Sequence, residues 1–130
     1  MMPKDTLLVN SRIEEVQTVY EWIEKLLGDS VESKLRHNIL LITQEIVTNA
    51  IVHGNCLDAS KIVTLTFQKN SEEVIVSIQD EGTGSPPLPT KEEATELDYL
   101  AENGRGLKLA VLLCKKIEVD RNLITFVFEI

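Results

Sequence analysis

The stretch from Ile39 to Val52, ILLITQEIVTNAIV, constrains this chain more than any other. Wound at 3.6 residues per turn it is apolar on nearly every side, so it reads as a helix buried between other layers. Its polar residues then need a reason. Residues four apart share a helix face, which puts Glu45, Asn49 and His53 in one polar line. Burying a carboxylate and an amide costs several kcal/mol, on the order of 2–7 for a neutral group alone, unless each is paired or faces a wet, polar cavity. Either the line borders a site, or Glu45 and Asn49 cap and bridge backbone within the core. These residues alone leave both readings open. In the first, the Asn49 carbonyl suits a hard cation such as magnesium, and Glu45, one turn earlier, can take a proton from a water or hydroxyl.

Around this helix the pattern is regular. Thr6 to Val9 is a short β-prone run, and Ser11-Arg12-Ile13-Glu14 has the spacing of a capping box opening a helix that runs to Leu27. Gly28-Asp29 stops it, and the buried helix begins between Ser30 and Ser33 and continues through Val52. Ile62 to Gln68 and Val74 to Gln79 read as a hairpin turning at Lys69-Asn70-Ser71-Glu72. A loop from Asp80 to Asn103 carries a second capping box, Thr90-Lys91-Glu92-Glu93, and so a short helix of its own. A third main helix is expected from Gly106 to Lys116, then two closing strands, Ile117 to Val119 and Leu123 to Phe128. This order predicts a mainly antiparallel sheet with helices on one face, in one domain spanning residues 1–130.

Composition narrows the partners. A formal net charge of -8 argues against adhesion to nucleic acid or to an anionic membrane surface, since both require clustered Lys and Arg. Cys56 and Cys114 form no Cys-x-x-Cys pair and no zinc-spaced cluster. No charged-then-apolar leader opens the chain, and its apolar runs are broken by Gln44, Glu45 and Asn49, so a cytoplasmic location with reduced cysteines is expected.

Two further constellations carry chemistry. Asp80-Glu81-Gly82-Thr83-Gly84 follows a strand directly. There a carboxylate can accept a hydrogen bond from the exocyclic amine of adenine, and the glycines admit a flat ring without Cβ interference. As a bare Asp-x-Gly turn it would mean nothing more. Asn103-Gly104-Arg105-Gly106-Leu107 precedes a helix, where glycines expose N–H groups at the positive helix end and Arg105 can add charge-assisted bonds to phosphate. Taken alone, it reads more readily as a glycine-rich helix start with a solvated arginine than as a phosphate site.

In this order, Glu45-x-x-x-Asn49-Ala50-x-x-His53-Gly54, Asp80-x-Gly82-x-Gly84 and Gly104-Arg105-Gly106-Leu107 resemble the N, G1 and G2 boxes of the GHKL ATPases. The resemblance covers essentially the whole chain, and its extended first box is similar to that of the anti-sigma factor serine kinases. It implies an α/β fold, an α+β two-layer sandwich of the Bergerat kind with a mixed, mainly antiparallel sheet. ATP would lie between helices and sheet, with Mg2+ bridging Asn49 to the phosphates. Glu45 would be the general base and Asp80 the adenine contact. Gly82 and Gly84 would shape the adenine pocket, and Gly104, Arg105 and Gly106 would approach the phosphates. Residues 85–103 would form an ATP lid, and a loop of that length is usually functional or disordered in any compact domain. One departure is Ser85-Pro86-Pro87-Leu88-Pro89, where many relatives carry an aromatic or apolar residue behind the second glycine.

By the same resemblance the chain would be a protein serine/threonine kinase acting on a STAS-domain anti-sigma factor antagonist. It would also sequester a sigma factor, as a homodimer. His53 would be part of a structural helix end and His37 a surface residue, neither of them a phosphoacceptor, and the short first helix supplies no histidine-kinase acceptor module. The alternatives are a nucleotide-gated module that sequesters a partner with little transfer, and a partner-switching kinase serving a non-transcriptional response.

Overall fold

The computed structural model describes residues 3–82 and 105–130. Five strands form one sheet: β1 (Lys4–Asn10), β2 (Ile62–Lys69), β3 (Glu73–Gln79), β4 (Lys116–Asp120) and β5 (Leu123–Glu129). Their order is β1-β2-β3-β5-β4, and every neighbouring pair is antiparallel. Among the described residues there are three α-helices, α1 (Glu15–Leu27), α2 (Ser33–Asn49) and α3 (Arg105–Leu113). The α+β class expected from sequence is borne out, and the sheet is antiparallel throughout.

Alternation decides which sheet face is covered. Val63, Leu65 and Phe67 on β2, Val74, Val76 and Ile78 on β3, and Ile124, Phe126 and Phe128 on β5 are all buried and in register on one face. The helices pack on that face. Val19, Ile23 and Leu27 of α1 and Ile39, Ile42, Ile46 and Val47 of α2 complete the core, and Trp22 meets Phe67 edge-on at a centroid distance of 6.4 Å. The opposite face carries hydroxyls, with Thr66 and Ser77 directly paired and hydrogen-bonded across β2 and β3.

α1 ends under two cations. Gly28 takes the left-handed φ of 58° that turns the chain, Arg36 donates to the Gly28 carbonyl, and Lys69 Nζ donates to Leu27 O at 3.3 Å. Terminal helix carbonyls are thereby satisfied by positive charge, the favourable sign at a helix C-terminus.

Three expectations need correction. Ser11 does not cap α1, which begins at Glu15 behind a preceding turn with no side-chain cap. Ser11 is fully buried and its hydroxyl donates to Lys61 O at 2.8 Å, so a long-range bond has displaced the local one. α2 stops as an α-helix at Asn49 and its last turn, Ala50–Gly54, widens to a π-helix, closed by Asn55 N–H to Ala50 O at 2.8 Å. α3 ends at Leu113, not Lys116, because Lys115 N–H already bonds Val127 O at 2.8 Å as the chain joins the sheet. Among the described residues no helix is long and apolar enough to cross a membrane.

Candidate functional site

α2 reaches the site because it is the helix in the middle. It packs against α1 on one side and α3 on the other, above β3. Within its exposed-to-buried gradient Gln44 is exposed, Glu45 and Asn49 are half-buried, and Ile46 and Val47 lie in the core. Glu45 Oε1 is buried with no hydrogen-bond partner among the described residues. An unpaired buried carboxylate oxygen is costly, and such atoms concentrate where a structure has a chemical use for them.

The side chain of Glu45 lies against the first turn of α3. A Cβ placed on Gly106 would stand 2.7 Å from Glu45 Cβ and 3.0 Å from its Cγ. Only glycine lets α3 approach α2 this closely, and Leu107 and Ala110 of the same helix are buried behind it. The sequence therefore brings the N-box carboxylate and the second glycine of the G2 box together in space. Arg105 is the first residue of α3. Gly84, Gly104 and the expected lid at 85–103, with the capping box Thr90–Glu93, lie outside the described residues.

The other end of the same helical segment meets the G1 box. Gly54 closes the π-helical turn, and a Cβ there would overlap the Asp80 carboxylate. Gly82 is equally confined, since its Cβ would lie 2.6 Å from Gly54 O and 3.0 Å from Asp80 Oδ1. Asp80 stands immediately after β3 and accepts the Gly82 N–H through Oδ1 at 2.7 Å. Partial burial raises the Asp80 carboxyl above its ordinary pKa, an effect that the Gly82 hydrogen bond opposes. The result is a desolvated acceptor fixed at a strand end. His53, beside Gly54, is exposed, as is His37.

A buried polar cluster that the sequence reading missed holds this corner. Asn55 is fully buried, donates through Nδ2 to Ser11 Oγ at 2.8 Å and to Ile62 O at 3.2 Å, and accepts the Glu81 N–H at 2.7 Å. Asn122 in the β4–β5 turn donates to Asp80 O and accepts the Asp80 N–H at 3.2 Å. Asn55 directly follows the His-Gly pair, which was its one available signal; Asn122 gave none. Cys114 is a free, half-buried thiol whose burial pushes its pKa up to about 12, so it stays protonated and unreactive.

The described residues contain no group of three or more His, Cys, Asp or Glu side chains arranged to hold a metal. Magnesium is commonly held by one or two protein oxygens and completed by phosphate and water. The donors present, the Asn49 amide oxygen one turn from a half-buried carboxylate with an unpaired oxygen, fit that mode.

One helical segment thus touches the Glu45 region at its α-helical part and the Asp80 loop at its π-helical end. Residues 9–127 match the family described as histidine kinase-like ATPase domain, and the chain belongs to that family, the GHKL ATPases. Among curated proteins it is similar to the anti-sigma F factor of Clostridium perfringens strain SM101, with 32% identity over 87 residues, 63% of this chain and 60% of that protein. It is also similar to the anti-sigma F factor of Shouchella clausii, with 31% identity over 83 residues, 62% of this chain and 57% of that protein. The matches thus span about three fifths of the relatives' length.

Two outcomes follow from the geometry. Gly106→Ala should destabilise the protein by about 1–3 kcal/mol in denaturant melts, because both colliding Cβ atoms are fixed to helix backbones and α3 must move off α2. A melt unchanged from the original would show that the helices do not meet as described. For Asp80 the raised native pKa means that the folded state binds the proton more tightly than the unfolded one. Its contribution to stability is fully present below the unfolded value of about 3.9 and is lost as pH rises through the higher native one. Asp80→Asn should therefore raise the thermal midpoint at pH 7, and the gain should shrink as pH falls toward about 4. A gain independent of pH would contradict the desolvated carboxylate.

Proposed function

We propose that this chain is an ATP-dependent protein serine/threonine kinase that also acts as an anti-sigma factor in a cytoplasmic partner-switching system. Its substrate would be a STAS-domain antagonist, its sequestered partner a sigma factor, and its working form a homodimer. What carries the reading is the placement of Glu45 and Asp80 against glycines at two points of one helical segment. Nine residues separate Glu45 from Gly54, and since the π-helical turn rises less per residue than an α-helix they lie at most about 13 Å apart along the axis, the scale of an extended nucleoside triphosphate.

On this reading the adenine amine donates to Asp80 at the Gly54 end, while Gly82 and Gly84 leave room for the ring. The phosphates lie toward the start of α3, where Gly104, Arg105 and Gly106 supply N–H groups and charge. Residues 85–103 close over the nucleotide as a lid, within one domain spanning residues 1–130. Asn49 would hold Mg2+, which would supply neutralisation of phosphate charge there. Glu45 accepts the proton of the acceptor hydroxyl. The freed oxygen bonds to the γ-phosphorus as the bond to the β–γ bridging oxygen breaks, leaving ADP and a phosphorylated serine or threonine. The anti-sigma role is supported by the similarity to two anti-sigma F factors.

Two measurements test this. Calorimetry should show magnesium-dependent binding of ATP about 10-fold or more tighter than GTP, since guanine presents a carbonyl where Asp80 requires a donor. Equal affinities would remove Asp80 from the base pocket. Glu45→Ala should leave ATP affinity nearly intact while phosphorylation of the antagonist falls roughly 10²–10⁴-fold; Asn49→Ala should lose both. An original protein that binds partners and ATP but never transfers phosphate is instead a nucleotide-gated sequestering module.

A further inference from the structure

Asp80 is held by contacts that the chemistry of base recognition does not by itself require. Its peptide is gripped on both sides by Asn122, which accepts the Asp80 N–H at 3.2 Å through its own carbonyl and donates to Asp80 O through Nδ2. The next amide, of Glu81, is taken by Asn55 Oδ1 at 2.7 Å, and the one after, of Gly82, by Asp80 Oδ1 at 2.7 Å. Three successive N–H groups are thus fixed just where the chain leaves β3.

Asn55 has no freedom to let go. Its side chain is fully buried, both Nδ2 hydrogens are used, on Ser11 Oγ and Ile62 O, and Oδ1 faces a donor. The amide cannot be flipped, because Ile62 O only accepts and the Glu81 N–H only donates. Ser11 in turn spends its hydroxyl hydrogen on Lys61 O. The hub therefore joins the end of β1, the start of β2, the end of the π-helical turn and the loop bearing Asp80. Rotation at any member would leave a buried polar group unpaired.

Resting on the reading of Asp80 as the adenine acceptor, we propose that Asn55 and Asn122 are positioning residues that aim its carboxylate and thereby set base selectivity. The two asparagines hold the backbone before and after Asp80. Gly54 and Gly82, in contact with the carboxylate, convert that backbone position into a fixed direction for Oδ2. An acceptor so directed rewards a donor at one point and rejects a carbonyl there; the same carboxylate on a loose loop would tolerate either base.

The test uses the full chain with magnesium and measures affinity for ATP, GTP and inorganic tripolyphosphate by calorimetry, with thermal unfolding alongside. Asn122→Ala removes the Nδ2 bond and leaves the backbone acceptor. It should reduce the ATP:GTP affinity ratio roughly 3- to 10-fold, the value of one such hydrogen bond, while tripolyphosphate affinity stays unchanged. Asn55→Ser should act in the same direction, and where it fails to fold Asn122→Ala decides. A lowered melting temperature with an unchanged ratio in Asn122→Ala makes the asparagine a purely structural residue and overturns the proposal. Asp80→Asn separates the two levels of inference. If it collapses the ratio while Asn122→Ala does not, only the positioning role fails; if it leaves the ratio intact, the adenine reading of Asp80 fails and the positioning role with it.

Discussion

Much of this structure depends on how closely two backbones can approach α2. The helix is packed on both flanks and over the sheet, which closes off its inward side, while Lys34, His37 and Gln44 face solvent. On the packed side, a polar side chain has room where a neighbour gives up its own. Gly106 does so beside Glu45, and Gly54 and Gly82 do so around Asp80. The atoms that would collide belong to Glu45 at Gly106, to Asp80 at Gly54, and to Gly54 and Asp80 at Gly82. The glycines are therefore spacers that set distance, in addition to any N–H group they present to a ligand.

The π-helical turn belongs to the same requirement. Continuing α2 as a regular helix would carry Gly54 along a different direction from the one that brings it onto the Asp80 loop. Widening the last turn re-aims the chain, and Asn55, at its exit, becomes buried at the corner where β1, β2 and the Asp80 loop meet. That corner is polar and fully enclosed. Such a cluster adds little net stability when satisfied, but it is costly to disturb, so it fixes geometry more than it contributes binding energy.

Which parts of this were legible in the sequence follows from the range of the interactions. The apolar periods of α1, α2 and the four strands β2 to β5 are local and repeat many times, and they located the elements to within a few residues. Glu45, Asn49, Asp80 and Gly106 were visible because their chemistry is at odds with its surroundings: a carboxylate in an apolar helix, glycines at a helix start. Ser11 misled because Ser-x-x-Glu is a local signature, and the bond that displaced it joins residues 50 apart in sequence. Asn122 was invisible for the same reason, and Asn55 was marked only by its place after the His-Gly pair. Apart from Ile62, 7 positions on, their side-chain partners lie 44, 26 and 42 positions away, and an asparagine after a glycine or inside a hairpin reads as a turn residue.

The two carboxylates are held in opposite ways. Asp80 is partly desolvated but keeps one strong backbone donor, on Oδ1, so its remaining oxygen is an acceptor of fixed direction. Glu45 has a buried oxygen with no donor among the described residues. Recognition needs the first condition, because a hydrogen bond discriminates only when its acceptor cannot turn to suit another ligand. Proton abstraction needs the second, because a base whose lone pairs are already occupied is a weaker base. The roles proposed above, nucleotide recognition for Asp80 and proton transfer for Glu45, agree with how each is hydrogen-bonded.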